Sequence, residues 1–318
     1  MSAIPGRTIQ VQAPGLLTTV QDLGRDGFGA IGVSPSGAAD PIALRLGNRL
    51  VANAESAAGL EMTLTGGTFV FPEGAILALT GSDFGATLDG GAVKMWTSIE
   101  VRPGQTLCLG GTRSGARCYL CVRGRIEVTP FLGSASTHLL TGLGGFEGRA
   151  LRKGDVLHVG PAASPFRQRA IAAEATRHFS LRSVLRFTRG PQADWFSEAA
   201  MRSFSESTYR VGEQSNRMGL RLEGAPVPQI SGRPMITEGV SLGAIQAPPG
   251  GLPIILFVDQ QTTGGYPKIG NVISADLHRV GQLRPRDEIR FEQVTWEAAR
   301  SLLVEQERTL GSGELLAE

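Results

Sequence analysis

The stretch Asp259–Gly270, DQQTTGGYPKIG, follows the apolar run LPIILFV and crowds glutamines, threonines, glycines, a tyrosine and a lysine behind one strand. A plain turn needs only one or two special residues. Gln261, Thr262, Thr263 and Tyr266 carry amide and hydroxyl groups that both donate and accept hydrogen bonds. Gly264 and Gly265 let a backbone come close to a ligand. Lys268, one of only three lysines in the chain, is a compact charge that can meet a phosphate or carboxylate at one atom. Upstream, ITEGVSLGAIQAPPGGLPIILFVD sets Glu238 and Gln246 before a Pro-Pro-Gly-Gly turn and a strand ending at Asp259. Glu238 and Asp259 are therefore candidate acid–base groups flanking a polar loop, although either carboxylate could instead satisfy backbone donors.

Three further clusters are candidates. Residues 18–48 place Gln21, Asp22 and Arg25 beside glycines, with Asp22 a further candidate for the catalytic acid or base beside Glu238, Asp259 and Lys268, and SPSGAAD, with Ser36, leads into a helix whose free N–H groups can hold an anion or carbonyl. A capped surface loop accounts for the same pattern. Residues 130–149, PFLGSASTHLLTGLGGFEGR, offer Ser134, Ser136, Thr137 and Arg149. Residues 212–224, GEQSNRMGLRLEG, offer Gln214, Asn216 and Arg217 on a loop entering a strand.

Several familiar chemistries are excluded. The glycines of 142–148 are spaced G-x-G-x-x-x-G, which is not the dinucleotide fingerprint, and no βαβ unit surrounds them. There is no P-loop, no G-x-S-x-G elbow and no H-E-x-x-H. Cys118 and Cys121 form C-x-x-C inside the strand-like ARCYLCVRG, where positions three apart face opposite ways, so a buried structural role is expected and no metal. The four histidines, His138, His158, His178 and His278, lack paired ligand spacing. Lys94, in AVKMW, lacks the preceding Met of a biotinylation site, so no covalent biotin is expected on this chain.

The elements that must position these groups are mostly strands. Among 318 residues there are 43 glycines and 18 prolines, and short apolar runs alternate with Gly, Pro and Asp turns. TFVFPEGAILALTG reads as strand, turn, strand, and Asp89-Gly90 as a hairpin turn. EVRPGQTLCLG, ALRKGDVLHVG and QLRPRDEIRFE share an outline: Arg, tight turn, alternating apolar positions. Their places near the ends of two long segments fit two related β-domains, or simply hairpins of a kind common in β-proteins. Three helices are predicted: one in DPIALRLGNRLVANAESAAGLEM, opened by Asp40 as N-cap with Pro41 behind it and Ile42, Leu46 and Leu50 on one face, one in PQADWFSEAAMRSFSES, and one from Thr295 to Gly311. Segment 160–179 has no strand period and reads as a connector between domains 1–165 and 180–318.

A net charge of +2 leaves no electrostatic footprint for nucleic acid. No apolar run approaches the roughly 18 residues of a membrane helix, and MSAIPGRTIQVQAPG lacks a signal-peptide core. An odd cysteine count of three argues against a disulfide framework. The expectation is a cytoplasmic protein that engages neither membrane nor nucleic acid.

Five ordered motifs, LTTVQDLGRDGFGAIGVSPSGAAD, FLGSASTHLL, SNRMGLRLEG, TEGVSLGAIQAPPGG and VDQQTTGGYPKIGNVISADL, together resemble the biotin-dependent carboxyltransferase-like family over residues 7 to 295. That family includes the C component of 5-oxoprolinase and part of the urea carboxylase carboxyltransferase domain. The resemblance implies a mainly β fold of two cyclophilin-like β-barrel domains with a few short helices. It implies a tight B-type partner, a further A-type partner, and ATP shared with both. The implied reaction is opening of 5-oxoproline to L-glutamate. Alternatives are a carboxyltransferase-like component working on another amide or urea-type substrate, and a non-catalytic regulator that binds a sensor-kinase inhibitor. A prolyl isomerase rests on fold alone, which does not carry function. Ala39, Ala135, Gln260 and Arg125 depart from the family pattern, which bears on the exact substrate.

Overall fold

The computed structural model describes residues 7–162, 166–172, 176, 179, 183–230 and 235–317. Much of the connector 160–179, including His178, lies outside the described residues. The chain forms two compact units: residues 1–25, 36–180 and 313–318 in the first, and residues 26–35 and 181–312 in the second.

The second unit is a closed seven-stranded barrel. Its order runs Val184–Arg189, Lys268–Val272, Ala244–Gln246, Ile254–Leu256, Gly219–Glu223, Tyr209–Val211, Glu288–Gln293 and back to the first. Neighbours are antiparallel except at the closing seam, where Val184↔Arg290 to Phe187↔Gln293 pair in parallel. A buried aromatic group joins the helix Glu198–Glu206 to two barrel strands, with Phe204 stacked on Phe291 at 4.5 Å between centroids and Phe187 edge-on to Phe204 at 5.2 Å. Such offset and edge-on contacts add to the area that the rings bury.

The first unit is not a second closed barrel, as the two-barrel expectation required. Its described residues form open antiparallel sheets of seven and five strands. The seven-stranded sheet ends in the two-residue strands Ile126–Glu127 and Gly91–Ala92, too short to carry a closing seam. Ile9, Phe69, Leu107 and Leu157 of this sheet share one core with Leu60, Leu77, Cys118 and Leu120 of the other. Cys118 belongs to that core, whereas Cys121 on the same strand meets helix α1 (Pro41–Leu50), its Sγ 3.7 Å from the Leu44 carbonyl oxygen. The two sulfurs thus face opposite ways, and burial pushes both thiols well above their usual range.

Helix capping is as the sequence indicates. Asp40 accepts the Ala43 N–H at 3.0 Å, Pro41 follows it, and Ile42, Leu46 and Leu50 are buried. The helix stops at Leu50, because Ala52 takes a left-handed φ of 56°, and GLEMT becomes a strand instead. Helix α2 (Glu198–Glu206) is capped by Ser197, and α4 (Trp296–Gly311) by Thr295; between them lies a short α3 (Leu277–Gln282).

The recurring Arg-turn phrase is one structure used three times. The N–H groups of Arg102, Arg152 and Arg284 donate to the side chains of Gln105, Asp155 and Asp287 at 2.8, 2.7 and 2.9 Å. The third position of each turn has positive φ: Gly104 at 81°, Gly154 at 93° and Arg286 at 74°. Glycine suits that position, which the type II turn reserves for it; Arg286 occupies it against its steric preference.

Candidate functional site

The polar residues singled out from the sequence fall into two constellations, one in each unit. In the first unit, Asp22 follows the strand Leu17–Gln21 and organises the loop 130–149. Its Oδ1 accepts from Ser136 Oγ at 2.5 Å, Ser134 Oγ at 2.6 Å and Gly24 N–H at 2.8 Å, while Oδ2 accepts from Ala135 N–H at 2.6 Å. Ser136 Oγ also accepts the Asp22 N–H at 3.0 Å. Thr137 bonds to the Val20 carbonyl through both its N–H, at 3.0 Å, and its hydroxyl, at 2.9 Å. The Thr137 carbonyl receives Gln21 Nε2 and Ser36 Oγ, each at 3.1 Å. Arg25 donates to the Ser136 carbonyl and lies over the Phe131 ring at 5.4 Å.

Gln21, Asp22, Arg25, Ser36, Ser134, Ser136 and Thr137 are thus brought together, all of them buried. The glycines beneath them are there for packing. A Cβ on Gly144 would strike the Ser136 carbonyl, and one on Gly145 would strike Thr137 Oγ1. These two glycines press onto the serine–threonine segment, which is not the open cradle that nucleotide phosphates require. Within the constellation, Gln21 Oε1 is a buried acceptor with no hydrogen-bond partner among the described residues.

In the second unit the opening loop runs between the barrel strands Ile254–Leu256 and Lys268–Val272. Its base is fixed. Asp259 receives Arg217 Nε at 2.8 Å and Nη2 at 3.1 Å, both residues being buried. Gln260, also buried, bonds through its side-chain amide to Ser241 O and Leu242 N–H at 3.0 Å each, and its carbonyl accepts from Ser34 Oγ. At the far end, the Pro267 carbonyl accepts the Ala247 N–H at 3.0 Å. Between these anchors Thr263 and Gly264 pair with Gly239 and Glu238, and Gln261, Thr263, Gly265 and Tyr266 are exposed while Thr262 and Gly264 are half-buried.

Lys268 is buried and its Nζ donates to Glu238 Oε1. Gln192 joins them: its Nε2 donates to Glu238 Oε1 at 2.9 Å and its Oε1 accepts the Lys268 N–H at 3.1 Å. The bond from Lys268, with that from Gln192, holds the Glu238 carboxyl below its usual range. Gln246 is buried, and its Nε2 has no hydrogen-bond partner among the described residues. That atom lies 2.6 Å from where a Cβ on Gly264 would stand. An unsatisfied buried donor costs about 1–3 kcal/mol, and a ligand oxygen would recover that loss.

Asn216 stands apart from this group, using its Oδ1 to accept the Met218 N–H at 2.8 Å in a local turn. Arg149 likewise serves the Arg152–Asp155 turn, donating to Asp155 at 2.7 and 3.0 Å. Gln192 carries no local signal: it precedes a short 3-10 turn, and only barrel closure brings it to Glu238 and Lys268. Arg25, Arg217 and Lys268 are the cations of the two constellations, and each is buried against carbonyl or carboxylate oxygen.

Residues 31–293 match the family described as "Carboxyltransferase domain, subdomain A and B". The chain belongs to that family. It is 38% identical over 300 residues to the C subunit of 5-oxoprolinase from Escherichia coli, covering 94% of this chain and 96% of that protein. It is 36% identical to the C subunit of the Haemophilus influenzae 5-oxoprolinase, covering 89% of this chain and 90% of that one. Urea amidolyase of Saccharomyces cerevisiae is 35% identical over 96% of this chain, which spans only 18% of that longer protein. The crystal structure of K. lactis urea amidolyase superposes with a TM-score of 0.90 at 32% identity, covering all of this chain and 21% of that one. Membership in this carboxyltransferase family thus rests on sequence and fold together. No described helix is long and apolar enough to cross a membrane.

Proposed function

We propose that this chain is the C subunit of an ATP-dependent 5-oxoprolinase, opening the lactam of 5-oxoproline to L-glutamate with partners of the A and B types. One observation carries the reading: the chain is 38% identical to the 5-oxoprolinase C subunit over 94% of its own length and 96% of that subunit's. The urea amidolyase match takes in only a fraction of a much longer protein.

The chemistry asks for donors at the lactam carbonyl, where negative charge develops when water attacks, and an acceptor for the ring N–H. Preorganised donors at such an oxygen are worth about 3–4 kcal/mol of barrier. In this reading Gln246 Nε2, the hydroxyls of Thr262 and Thr263 and the backbone N–H of Gly265 are the candidate donors. Lys268 and Glu238 form a paired acid and base beside them. Asp22 and Asp259 act as positioning groups, since serine hydroxyls and N–H groups engage the first and Arg217 the second. The glycines of 142–148 do not fit a phosphate cradle, so ATP is assigned to the assembly of this chain with its partners.

Co-expression with the A-type and B-type proteins tests this reading. Co-purification with the B-type protein is the expected result; a chain that elutes alone beside both partners would count against it. A second reading, carboxyl transfer to a urea-type substrate, is favoured by the close superposition on urea amidolyase. It predicts turnover of urea rather than 5-oxoproline in the same assembly.

A further inference from the structure

Three distant segments of the second unit meet at Glu238. Gln192, Glu238 and Lys268 are 30 to 76 positions apart in sequence, and each is joined to the other two by hydrogen bonds. Gly190 sets the approach of the first segment. Its N–H donates to the Ile269 carbonyl at 3.0 Å, and a Cβ on it would stand 2.3 Å from the Lys268 carbonyl oxygen and 2.9 Å from the Gly270 nitrogen. Glycine lets the chain lie this close to the strand Lys268–Val272. Two residues later the Gln192 side chain meets the Lys268 backbone.

The Gln192 amide has one admissible orientation here. A backbone N–H only donates and an ionised carboxylate only accepts. Gln192 Oε1 therefore faces the Lys268 N–H at 3.1 Å, and Nε2 faces Glu238 Oε1 at 2.9 Å. Turned over, the amide would set donor against donor and oxygen against oxygen.

This makes the two oxygens of Glu238 unequal. Oε1 accepts both Gln192 Nε2 and Lys268 Nζ, whereas Oε2 accepts no hydrogen bond among the described residues. A proton on Oε1 would displace one of two donors; a proton on Oε2 displaces none. The backbone of Glu238 is set by its pairing with Gly264. Lys268 is the charged group that faces its carboxylate, and the paired strand Thr263–Gly264 brings no charge. An ammonium is a point charge on a flexible stem and fixes no direction by itself. The planar amide of Gln192, held at both ends, supplies that direction to a half-exposed side chain.

We propose that Gln192 is the positioning residue of this site: it holds Glu238 by Oε1, so that Oε2 is the one atom through which the carboxylate takes up and releases a proton. This role rests on the 5-oxoprolinase reading for the reaction in which the proton moves, and on the hydrogen bonds for the hold itself.

Two measurements on Gln192→Met and Gln192→Glu test it. The first needs no turnover: the Glu238 carboxyl of the full chain is titrated by NMR of carboxyl-labelled protein, its signal identified by its loss in Glu238→Gln. In the wild type it titrates below the usual carboxylate range, held there by Lys268 and then Gln192. Gln192→Met should move it up, because one donor is lost. Gln192→Glu keeps an acceptor for the Lys268 N–H but sets a second carboxylate against Glu238, so one step of the coupled pair should rise further. The second measurement is glutamate release in the assembly with the A-type and B-type partners. Gln192→Met should lower kcat at least about tenfold, part of the roughly 100- to 10,000-fold that a positioned acid or base supplies, with KM unchanged and the acid limb of the rate profile moved up. A carboxyl titration unmoved in Gln192→Met, or a loss carried by KM, would overturn the proposal. A wild-type assembly that releases no glutamate would sink the reaction, and the titration would still decide whether Gln192 holds Glu238.

Discussion

Ser136 and Asp22 hold each other in both directions: the serine hydroxyl donates to Asp22 Oδ1 at 2.5 Å and accepts the Asp22 N–H at 3.0 Å. The residues are 114 positions apart, so this exchange ties the end of an early strand to a distant glycine-rich loop. The loop's serines and threonine are therefore fixed from below, with Gly144 and Gly145 packed against them.

Ser136→Ala removes both bonds and leaves the Asp22 N–H buried without its acceptor. A loss of about 1–3 kcal/mol is expected, the penalty of an unsatisfied buried group. Urea unfolding at neutral pH checks it. Activity in the reconstituted assembly should fall with it, because the loop borders Asp22. A variant as stable as the parent would show that the exchange is not holding the loop.

Arg217 and Asp259 form a buried pair at the base of the opening loop. Asp259→Asn leaves Arg217 without its carboxylate and should cost about 3–5 kcal/mol. Replacing both, Arg217→Met with Asp259→Leu, should recover much of that loss. A double-mutant cycle by chemical denaturation measures the coupling, and additive effects would contradict it.

Glu238 links stability to pH. Its folded-state carboxyl lies below the ordinary value of 4.5 because of Lys268 and then Gln192. A depressed carboxyl contributes stability above its unfolded value, and that contribution fades as the pH falls through the lower folded value. Glu238→Gln should therefore be less stable at pH 7 by up to about 1 kcal/mol, the glutamate being half-exposed. The two unfolding curves should converge at more acid pH. A gap that persists in acid would exclude the ion pair as its source.

Arg286 differs from its counterparts Gly104 and Gly154 in carrying a side chain at positive φ. Arg286→Gly relieves that strain but gives up an exposed ion pair to Glu213. The net expectation is a gain of about 0.5–1 kcal/mol, from roughly 1–2 for the left-handed conformation less a small exposed pair. Arg286→Ala loses the pair without relieving the backbone and should be less stable than both. Thermal denaturation of the three proteins distinguishes the terms.

Local features are legible in the sequence because their causes are local. Asp40, Pro41 and Thr295 act within one turn of the helices they start, and the C-x-x-C strand sends its two sulfurs to opposite faces by its period of two. The Arg-turn phrase is visible as a recurrence, and its common hydrogen bond explains why the wording repeats. Closure is not legible. Pairing Val184–Phe187 in parallel with Arg290–Gln293 joins strands about a hundred residues apart, and nothing local in either strand announces a barrel seam. For the same reason the sequence gives no hint of Gln192 at the Glu238–Lys268 pair. Asn216 errs the other way, since its polar neighbours suggest a site while its side chain serves its own turn.

The most direct measurement is ATP hydrolysis and L-glutamate release with and without 5-oxoproline, using this chain assembled with its A-type and B-type partners. The account predicts glutamate formed in step with 5-oxoproline-dependent ATP loss, and none when this chain is omitted. A stable assembly that hydrolyses ATP independently of 5-oxoproline and releases no glutamate would contradict it.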